Sequence, residues 1–131
     1  MMRIQHEFSP WGQIDEVVFV LPGIDLVSTP SHGGARVTRE AAMLLSPKAR
    51  KCGFREGGYL WFEEDCCEQV VLRELMDKNL WTPPADRIKD AAAFERAIDR
   101  VLQACQPEYW ASREKRLARR PEKPTRTDRA R

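Results

Sequence analysis

The amino-acid sequence predicts an α+β fold, in which a short antiparallel sheet (an N-terminal hairpin plus a third strand) packs against two to three helices. A β-branched and aromatic run over residues 16–21 precedes the turn signal Pro22-Gly23, which indicates a hairpin. A second aromatic run over 59–62 indicates the third strand. Apolar residues over 94–105 recur at helical spacing, which places a helix in the second half of the chain.

The return strand of the hairpin is expected over residues 24–29 and is ended by Pro30, because proline has no amide hydrogen for the ladder. Residues 31–34 are expected to form a loop, since two successive glycines permit positive φ angles. Thr38 is then expected to cap a short helix over 39–45.

A longer helix is expected over residues 64–77 and ends near Asn79. Its start would contain Glu63, Glu64 and Asp65, since acids complement the free amides and positive dipole end of a helix. The residues at i, i+4 and i+8 on its apolar face are Cys67, Val71 and Leu75.

The last predicted helix begins after Asp90, a good capping residue, and stops at Pro107. Its apolar face is formed by Phe94, Ala97, Ile98, Val101, Leu102 and Cys105.

Charge divides the 131 residues into two parts. The net charge is +2, but residues 111–131 hold nine Lys or Arg against three acids, which is +6 and leaves residues 1–110 at −4. We expect one α+β domain over 1–110 and a basic, disordered or extended tail over 111–131, because the tail has little apolar surface. A basic tail can contact nucleic acid, and the candidate residues are Arg113, Lys115, Arg116, Arg119 and Arg120.

No run approaches the ~18 apolar residues of a membrane span, and the N-terminal residues lack the apolar stretch of a signal peptide. A cytoplasmic protein without membrane association is therefore expected. Cysteines in that compartment are expected to be reduced thiols, and the chain has four, Cys52, Cys66, Cys67 and Cys105.

His32 is the first candidate functional residue. An imidazole next to two glycines suits a general base, since its pKa lies near neutrality. The alternative is a hydrogen bond to Ser31 or to a carbonyl that fixes the loop, and this alternative is preferred for a histidine without an identified partner.

Glu63, Glu64 and Asp65 have the chemistry to coordinate a hard cation or to donate a proton. Successive helical side chains point about 100° apart, so three neighbours cannot all face one ligand. A helix start is therefore the preferred explanation of these acids.

Cys66 and Cys67 could serve a Cys–His enzyme with His32 as the base. A helix N-terminus lowers a thiol pKa, but the neighbouring acids raise it, so the electrostatic support is poor. One thiol is expected in the core. A zinc site of His32, Cys52, Cys66 and Cys67 matches no common ligand spacing.

Aromatic residues are abundant for so small a domain. Strand alternation places Tyr59 and Trp61 on one side, with Leu60 and Phe62 on the other. Exposed aromatics would mark a protein-binding face, whereas buried ones would form the core. A strand with two apolar faces is either central or at an interface.

Three blocks of the sequence, Ser28–Gly34, Arg36–Glu40 and Gly57–Cys66, resemble an uncharacterised domain carried by conjugative elements and phages of proteobacteria. The chain departs from that pattern by Leu60, inserted between Tyr59 and Trp61, and by the second cysteine. The resemblance implies a mobile-element setting and supplies no catalytic residue. Small proteins of such elements often act against host defence, and anti-CRISPR proteins are the prominent class.

The leading hypothesis is an anti-CRISPR-type inhibitor that binds a host defence protein or a CRISPR effector complex in the bacterial cytoplasm, without catalysis, cofactor or metal. One alternative is a small Cys/His or metal-dependent enzyme that uses His32 with an acid or a cysteine; another is a nucleic-acid-binding accessory protein that uses the basic tail. The expected binding surface comprises Ser31, His32, Gly33, Gly34, Tyr59, Trp61, Glu63, Glu64 and Asp65.

Overall fold

The computed structural model describes residues 7–119. Two short strands, β1 (Phe8–Ser9) and β2 (Gly12–Gln13), form a ribbon of their own. Five strands form the main sheet: β3 (Glu16–Leu21), β4 (Ile24–Ser28), β5 (Gly33–Thr38), β6 (Phe54–Glu56) and β7 (Tyr59–Glu63). The helices are α1 (Pro47–Arg50), α2 (Glu68–Asp77), α3 (Ala91–Cys105) and α4 (Pro107–Arg119), with a 3₁₀ turn at Ala41–Leu44.

The main sheet is antiparallel throughout and has the order β3–β4–β5–β7–β6. This confirms the α+β class, but the sheet has five strands rather than three. The sequence did not predict strands β5 and β6, because β5 begins with a glycine pair and β6 is followed by one. Gly33-Gly34 begins β5 instead of forming a loop, and Gly57-Gly58 connects β6 to β7.

The turns on either side of the sheet depend on glycine. Gly57 and Gly58 have φ angles of +63° and +88°, and they form the two-residue hairpin turn that needs positive φ at both positions. The predicted N-terminal hairpin is confirmed, and Gly23 in its turn has a φ of +89°.

Helix α2 begins at Glu68 rather than near residue 64, and its end is as predicted. Asn79 has a φ of 58°, while the amide of Leu80 donates to the carbonyl of Leu75 at 2.8 Å. This is the Schellman arrangement that ends helices at glycine or asparagine. The predicted cap at Asp90 is also confirmed, since its carboxylate accepts a hydrogen bond from the amide of Ala93. The short helix expected over 39–45 is only the 3₁₀ turn at Ala41–Leu44, and its N-cap is Glu40 rather than Thr38, although Thr38 accepts a hydrogen bond from the amide of Ala41.

Helix α4 corrects the predicted tail. Residues 111–119 were expected to be disordered or extended, but they continue the helix that begins at Pro107. Proline stops α3 and fits the first position of the next helix, where its missing amide hydrogen costs nothing. Tyr109, only 2% exposed, anchors α4 in the core. Residues 120–131, the rest of the predicted tail, lie outside the described residues.

The core lies between one face of the sheet and the helices. Its sheet side includes Ala35, Val37, Leu60 and Phe62, on alternating positions of β5 and β7. Its helix side is formed by Val70, Val71, Leu75, Ile98, Leu102 and Tyr109. None of the helices within residues 7–119 combines the length and apolar character needed to cross a membrane.

Candidate binding surface

The sheet brings the two main sequence blocks together. Strands β5 and β7 are neighbours, with Gly34 opposite Glu63, and the amide of Glu64 donates to the carbonyl of Gly33 at 3.0 Å. The blocks were recognised from sequence as separate segments, and their contact follows from strand pairing that the sequence pattern did not predict.

His32 lies in the tight turn between β4 and β5. Its backbone amide donates to Oγ1 of Thr29 at 3.1 Å, and its carbonyl accepts from the same hydroxyl at 2.7 Å. Ser31 and His32 are exposed at the tip of this turn. Among residues 7–119, the imidazole makes no hydrogen bond or ion pair, so this turn is fixed by the backbone of His32 and the hydroxyl of Thr29.

Gly33 and Gly34 are buried, which corrects their assignment to the binding surface. A Cβ atom at position 34 would lie 2.1 Å from the carbonyl oxygen of Phe62 and 2.7 Å from Cη2 of Trp11. The second glycine therefore permits the Trp11 ring to approach the sheet closely. This is a packing role, and the loop expected at these residues is absent.

Trp61 was also predicted to lie on the surface, but it is 3% exposed. Its Nε1 donates to the carbonyl of Glu56 at 2.8 Å, and its ring contacts Trp11 edge-on at 5.6 Å between centroids. The sheet face opposite the helices is therefore partly covered by the N-terminal ribbon. Tyr59 is half-buried on the same face, with the guanidinium of Arg36 5.3 Å from its ring centroid.

Glu63, Glu64 and Asp65 do not open a helix, which corrects the earlier expectation. Glu63 ends β7, and residues 64–67 form a turn before α2. The acid in the first turn of α2 is Glu68. Burial, together with the nearby charges of Glu64 and Glu63, raises the pKa of Glu68 to about 7. Asp65 is exposed, while Glu63 and Glu64 are half-buried.

Cys66 and Cys105 are joined in a disulfide, which corrects the expectation of four reduced thiols. The turn after β7 brings Cys66 to the end of α3, with Cα atoms 5.7 Å apart, a separation that a disulfide can span. Sequence spacing carries no information about such a pairing.

The two free cysteines, Cys52 and Cys67, are half-buried and both contact the amide group of Gln106 at 3.5 Å. Burial, with a smaller contribution from Cys67, raises the pKa of Cys52 to about 11, and burial also raises the pKa of Cys67. Both thiols are therefore protonated at neutral pH, which disfavours a nucleophilic role. Among residues 7–119, no three His, Cys, Asp or Glu side chains are placed to hold a metal ion.

Two of the arginines proposed to contact nucleic acid are paired within the domain. Arg113 makes two hydrogen bonds to the Asp77 carboxylate, at 2.7 and 2.9 Å, and Arg116 contacts Glu74 at 3.2 Å. Lys115 and Arg119 are exposed on α4, and Arg120 lies outside the described residues.

Strand β3 was predicted from the sequence, but its position at the edge of the sheet was not. It is hydrogen bonded to β4 on one side only and forms one end of the sheet. Val17 and Phe19, on the face away from the helices, are 45% and 67% exposed. The sequence shows that this strand is apolar on both faces, which is typical of a central strand or of an interface. Its edge position depends on the strand order, which the sequence does not give.

A groove of about 230 Å³ lies beside this strand, on the helix side of the sheet. Its floor is formed by Val18, Val20 and Leu26, and its walls include Leu72, Trp81 and Phe94. We call this feature the β3 groove. Glu68 also lines it, so the carboxyl group with the raised pKa faces an apolar surface.

Comparison with known proteins gives a family without an assigned activity. No curated protein and no solved structure matches the chain. The family model of a domain of unknown function, DUF7007, matches residues 4–131, almost the whole sequence. The chain therefore belongs to the DUF7007 family.

Proposed function

We propose that the protein acts by binding another protein through the edge of its sheet, and that the bound protein belongs to a bacterial defence system such as a CRISPR effector complex. The observation that supports this most is the exposed edge strand β3. Natural proteins usually blunt long edge strands with lysine, proline or a covering segment. Strand β3 has neither residue, and within residues 7–119 no further strand pairs with its open side.

The exposed side chains of β3 support the same proposal. Phe19 is 67% exposed next to the half-exposed Val17, and the β3 groove continues the apolar surface around the edge. Contiguous exposed apolar surface marks protein-interaction sites. The resemblance to domains of conjugative elements and phages supports a host defence protein as the partner.

The alternatives have less support. An enzyme using Cys67 would need a thiolate, but burial keeps that thiol protonated. Nucleic-acid binding through α4 loses two of its proposed contacts, because Arg113 and Arg116 are already paired with Asp77 and Glu74.

The proposal is tested by phage plating on a CRISPR-immune bacterial host that expresses the full chain. We expect the wild-type protein to restore phage plating and a tagged version to co-purify with a Cas subunit. Phe19→Ser should abolish both effects, whereas Met43→Ser, which alters another exposed apolar side chain, should not. Failure to restore plating together with recovery of no defence protein would overturn the proposal.

A further inference from the structure

We infer that the β3 groove binds an extended segment of a partner protein with alternating apolar and basic side chains, which adds a sixth strand along β3 and ion-pairs with Glu68. This inference rests on the proposed protein-binding function and names the chemistry of the segment that is bound.

The backbone of β3 favours an extended ligand. The strand has six residues, and among residues 7–119 its ladder hydrogen bonds are to β4 only, so on its other side no described residue pairs with its amide and carbonyl groups. A peptide that adds a strand to such an edge gains main-chain hydrogen bonds, and pockets beside the edge select its alternate side chains. The β3 groove is such a pocket, because Val18 and Val20 of the same strand form its floor.

The size and lining of the groove favour amino-acid side chains. Its volume of about 230 Å³ is below the ~300–1,000 Å³ typical of small-molecule sites. Trp81 and Phe94 form one wall, with ring centroids 6.3 Å apart, and provide an apolar surface for an aliphatic stem. A lysine or arginine stem can lie on such a surface while its charged end reaches a carboxylate.

The charge around the groove favours a cation. Glu68 takes part in none of the ion pairs within residues 7–119. Glu63 and Glu64 lie close enough to raise its pKa, and Arg87 is the basic residue that lines the groove. Within residues 7–119 Glu68 forms no ion pair with Arg87, and two further carboxylates lie near it, so an added basic side chain would lower the cost of ionising Glu68.

The same charge argues against a second copy of the chain as the occupant. An antiparallel partner strand of sequence Glu16–Leu21 would place apolar residues and one further acid along β3, and it contains no lysine or arginine. A basic segment of another protein can form an ion pair with Glu68, whereas a second β3 strand cannot.

The test uses the full-length protein and four fluorescein-labelled eight-residue peptides, with binding followed by fluorescence anisotropy. In the first peptide valine alternates with arginine, and in the second valine alternates with glutamate. The third has the first sequence with N-methyl groups on alternate amides. The fourth has the composition of the first but groups its valines and arginines in two blocks. We expect saturable binding of the first peptide only, because alternation, positive charge and free amides are all required.

The Glu68→Gln variant tests the ion pair, and Glu56→Gln is its matched control, since Glu56 is an exposed carboxylate on the opposite edge strand. We expect Glu68→Gln to weaken binding of the valine–arginine peptide about tenfold and Glu56→Gln to leave it unchanged. Wild-type affinity should rise between about pH 6 and pH 8 as Glu68 ionises, and the Glu68→Gln profile should be flat.

The inference is overturned by equal binding of the arginine and glutamate peptides, by retained binding of the N-methylated or block peptide, or by full affinity in Glu68→Gln. It is also overturned if light scattering shows a dimer that dissociates when Phe19 is replaced by serine. These outcomes leave the proposed function standing if the chain still restores phage plating. If the chain binds the valine–arginine peptide but neither restores plating nor recovers a defence protein, the proposed function is overturned and the peptide-binding role of the groove is retained.

Discussion

The hydroxyl of Tyr109 donates a 2.7 Å hydrogen bond to Oε2 of Glu74, and both side chains are almost fully buried. The other carboxylate oxygen accepts from the amide of Ser46 at 2.6 Å, and Arg116 contacts Oε2 at 3.2 Å. One buried carboxylate thus joins α2, α4 and the start of α1. Its charge is tolerated because Tyr109 and Ser46 donate hydrogen bonds to it and Arg116 supplies a positive charge.

Replacing Tyr109 with phenylalanine should therefore lower the free energy of unfolding by roughly 1–3 kcal/mol, because a hydrogen bond to a buried charge is lost. Urea denaturation measures this change. Tyr59→Phe is the control, since the Tyr59 hydroxyl makes no hydrogen bond among residues 7–119 and its loss should cost little. Equal effects of the two substitutions would contradict the assignment.

The same hydrogen bond makes stability depend on alkaline pH. Burial and the negative charge of Glu74 raise the pKa of Tyr109 well above the ordinary 10.0. An unfolded tyrosine loses its proton near that value while the folded one keeps it, so the stabilising contribution is complete below pH 10 and declines above it. The slope should approach about 1.4 kcal/mol per pH unit, and it should be shallower in Tyr109→Phe.

Gly34→Ala should destabilise the protein by about 2–4 kcal/mol. The added methyl group would meet the Phe62 carbonyl oxygen at 2.1 Å and the Trp11 ring at 2.7 Å, so the backbone or the ring must move. Gly57→Asn is the matched control from the other glycine pair, because its site is open and asparagine tolerates a φ of +63°. Thermal unfolding of both variants checks the contrast, and similar losses would show that Trp11 does not depend on Gly34.

Arg113→Ala should lower the free energy of unfolding by about 1–3 kcal/mol, since it removes the bidentate hydrogen bonds to the mostly buried Asp77 carboxylate. Lys115→Ala, on the exposed side of the same helix, should change it by less than about 0.5 kcal/mol. Urea denaturation compares the two variants. If both left stability unchanged and both reduced affinity for DNA, the nucleic-acid alternative would replace the structural role of Arg113.

The disulfide closes a loop between residues separated by 39 positions, so its reduction should cost roughly 2–4 kcal/mol. Thermal unfolding with and without dithiothreitol measures the loss, and Cys105→Ser should be insensitive to the reductant. Peptide mapping without reduction should recover Cys66 joined to Cys105; recovery of Cys67 joined to Cys105 would contradict the pairing. A reducing cytoplasm favours the dithiol form, so binding assays with a cytoplasmic partner should use reduced protein.

The sequence was informative where one local rule determines the structure. The turn at Gly23, the cap at Asp90 and the helix end at Asn79 were each predicted from a single residue type and its neighbours. It failed where a residue's role depends on a distant strand or helix. Gly34 looked like a loop residue because its reason for being glycine, the close approach of Trp11 and Phe62, is not local.

The candidate site shows the same division. Strand β3 was recognised from its β-branched residues, but its exposure as an edge depends on the order of the other four strands. Helix α4 looked too polar to fold, because the partners that hold it, Asp77 and Glu74, lie more than 30 residues away. Charge patterns in a sequence do not reveal which charges are already paired.

Ionisation of Glu68 should destabilise the free protein. Its folded pKa of about 7 exceeds the ordinary 4.5, so the unfolded chain releases this proton at lower pH than the folded chain does. The stability associated with neutral Glu68 is complete below about pH 4.5 and is lost as the pH rises through 7. Glu68→Gln should therefore raise the free energy of unfolding by roughly 1–3 kcal/mol at pH 8, with a smaller gain at pH 5.

Urea denaturation of Glu68→Gln at the two pH values measures this difference, and Glu56→Gln, with an exposed carboxylate, should match wild type at both. A gain that is equal at pH 5 and pH 8 would show that the carboxyl group is not the titrating group. A larger gain at pH 8 would mean that the free protein is destabilised by a charge in its apolar groove, as expected of a residue whose positive partner arrives only with a ligand.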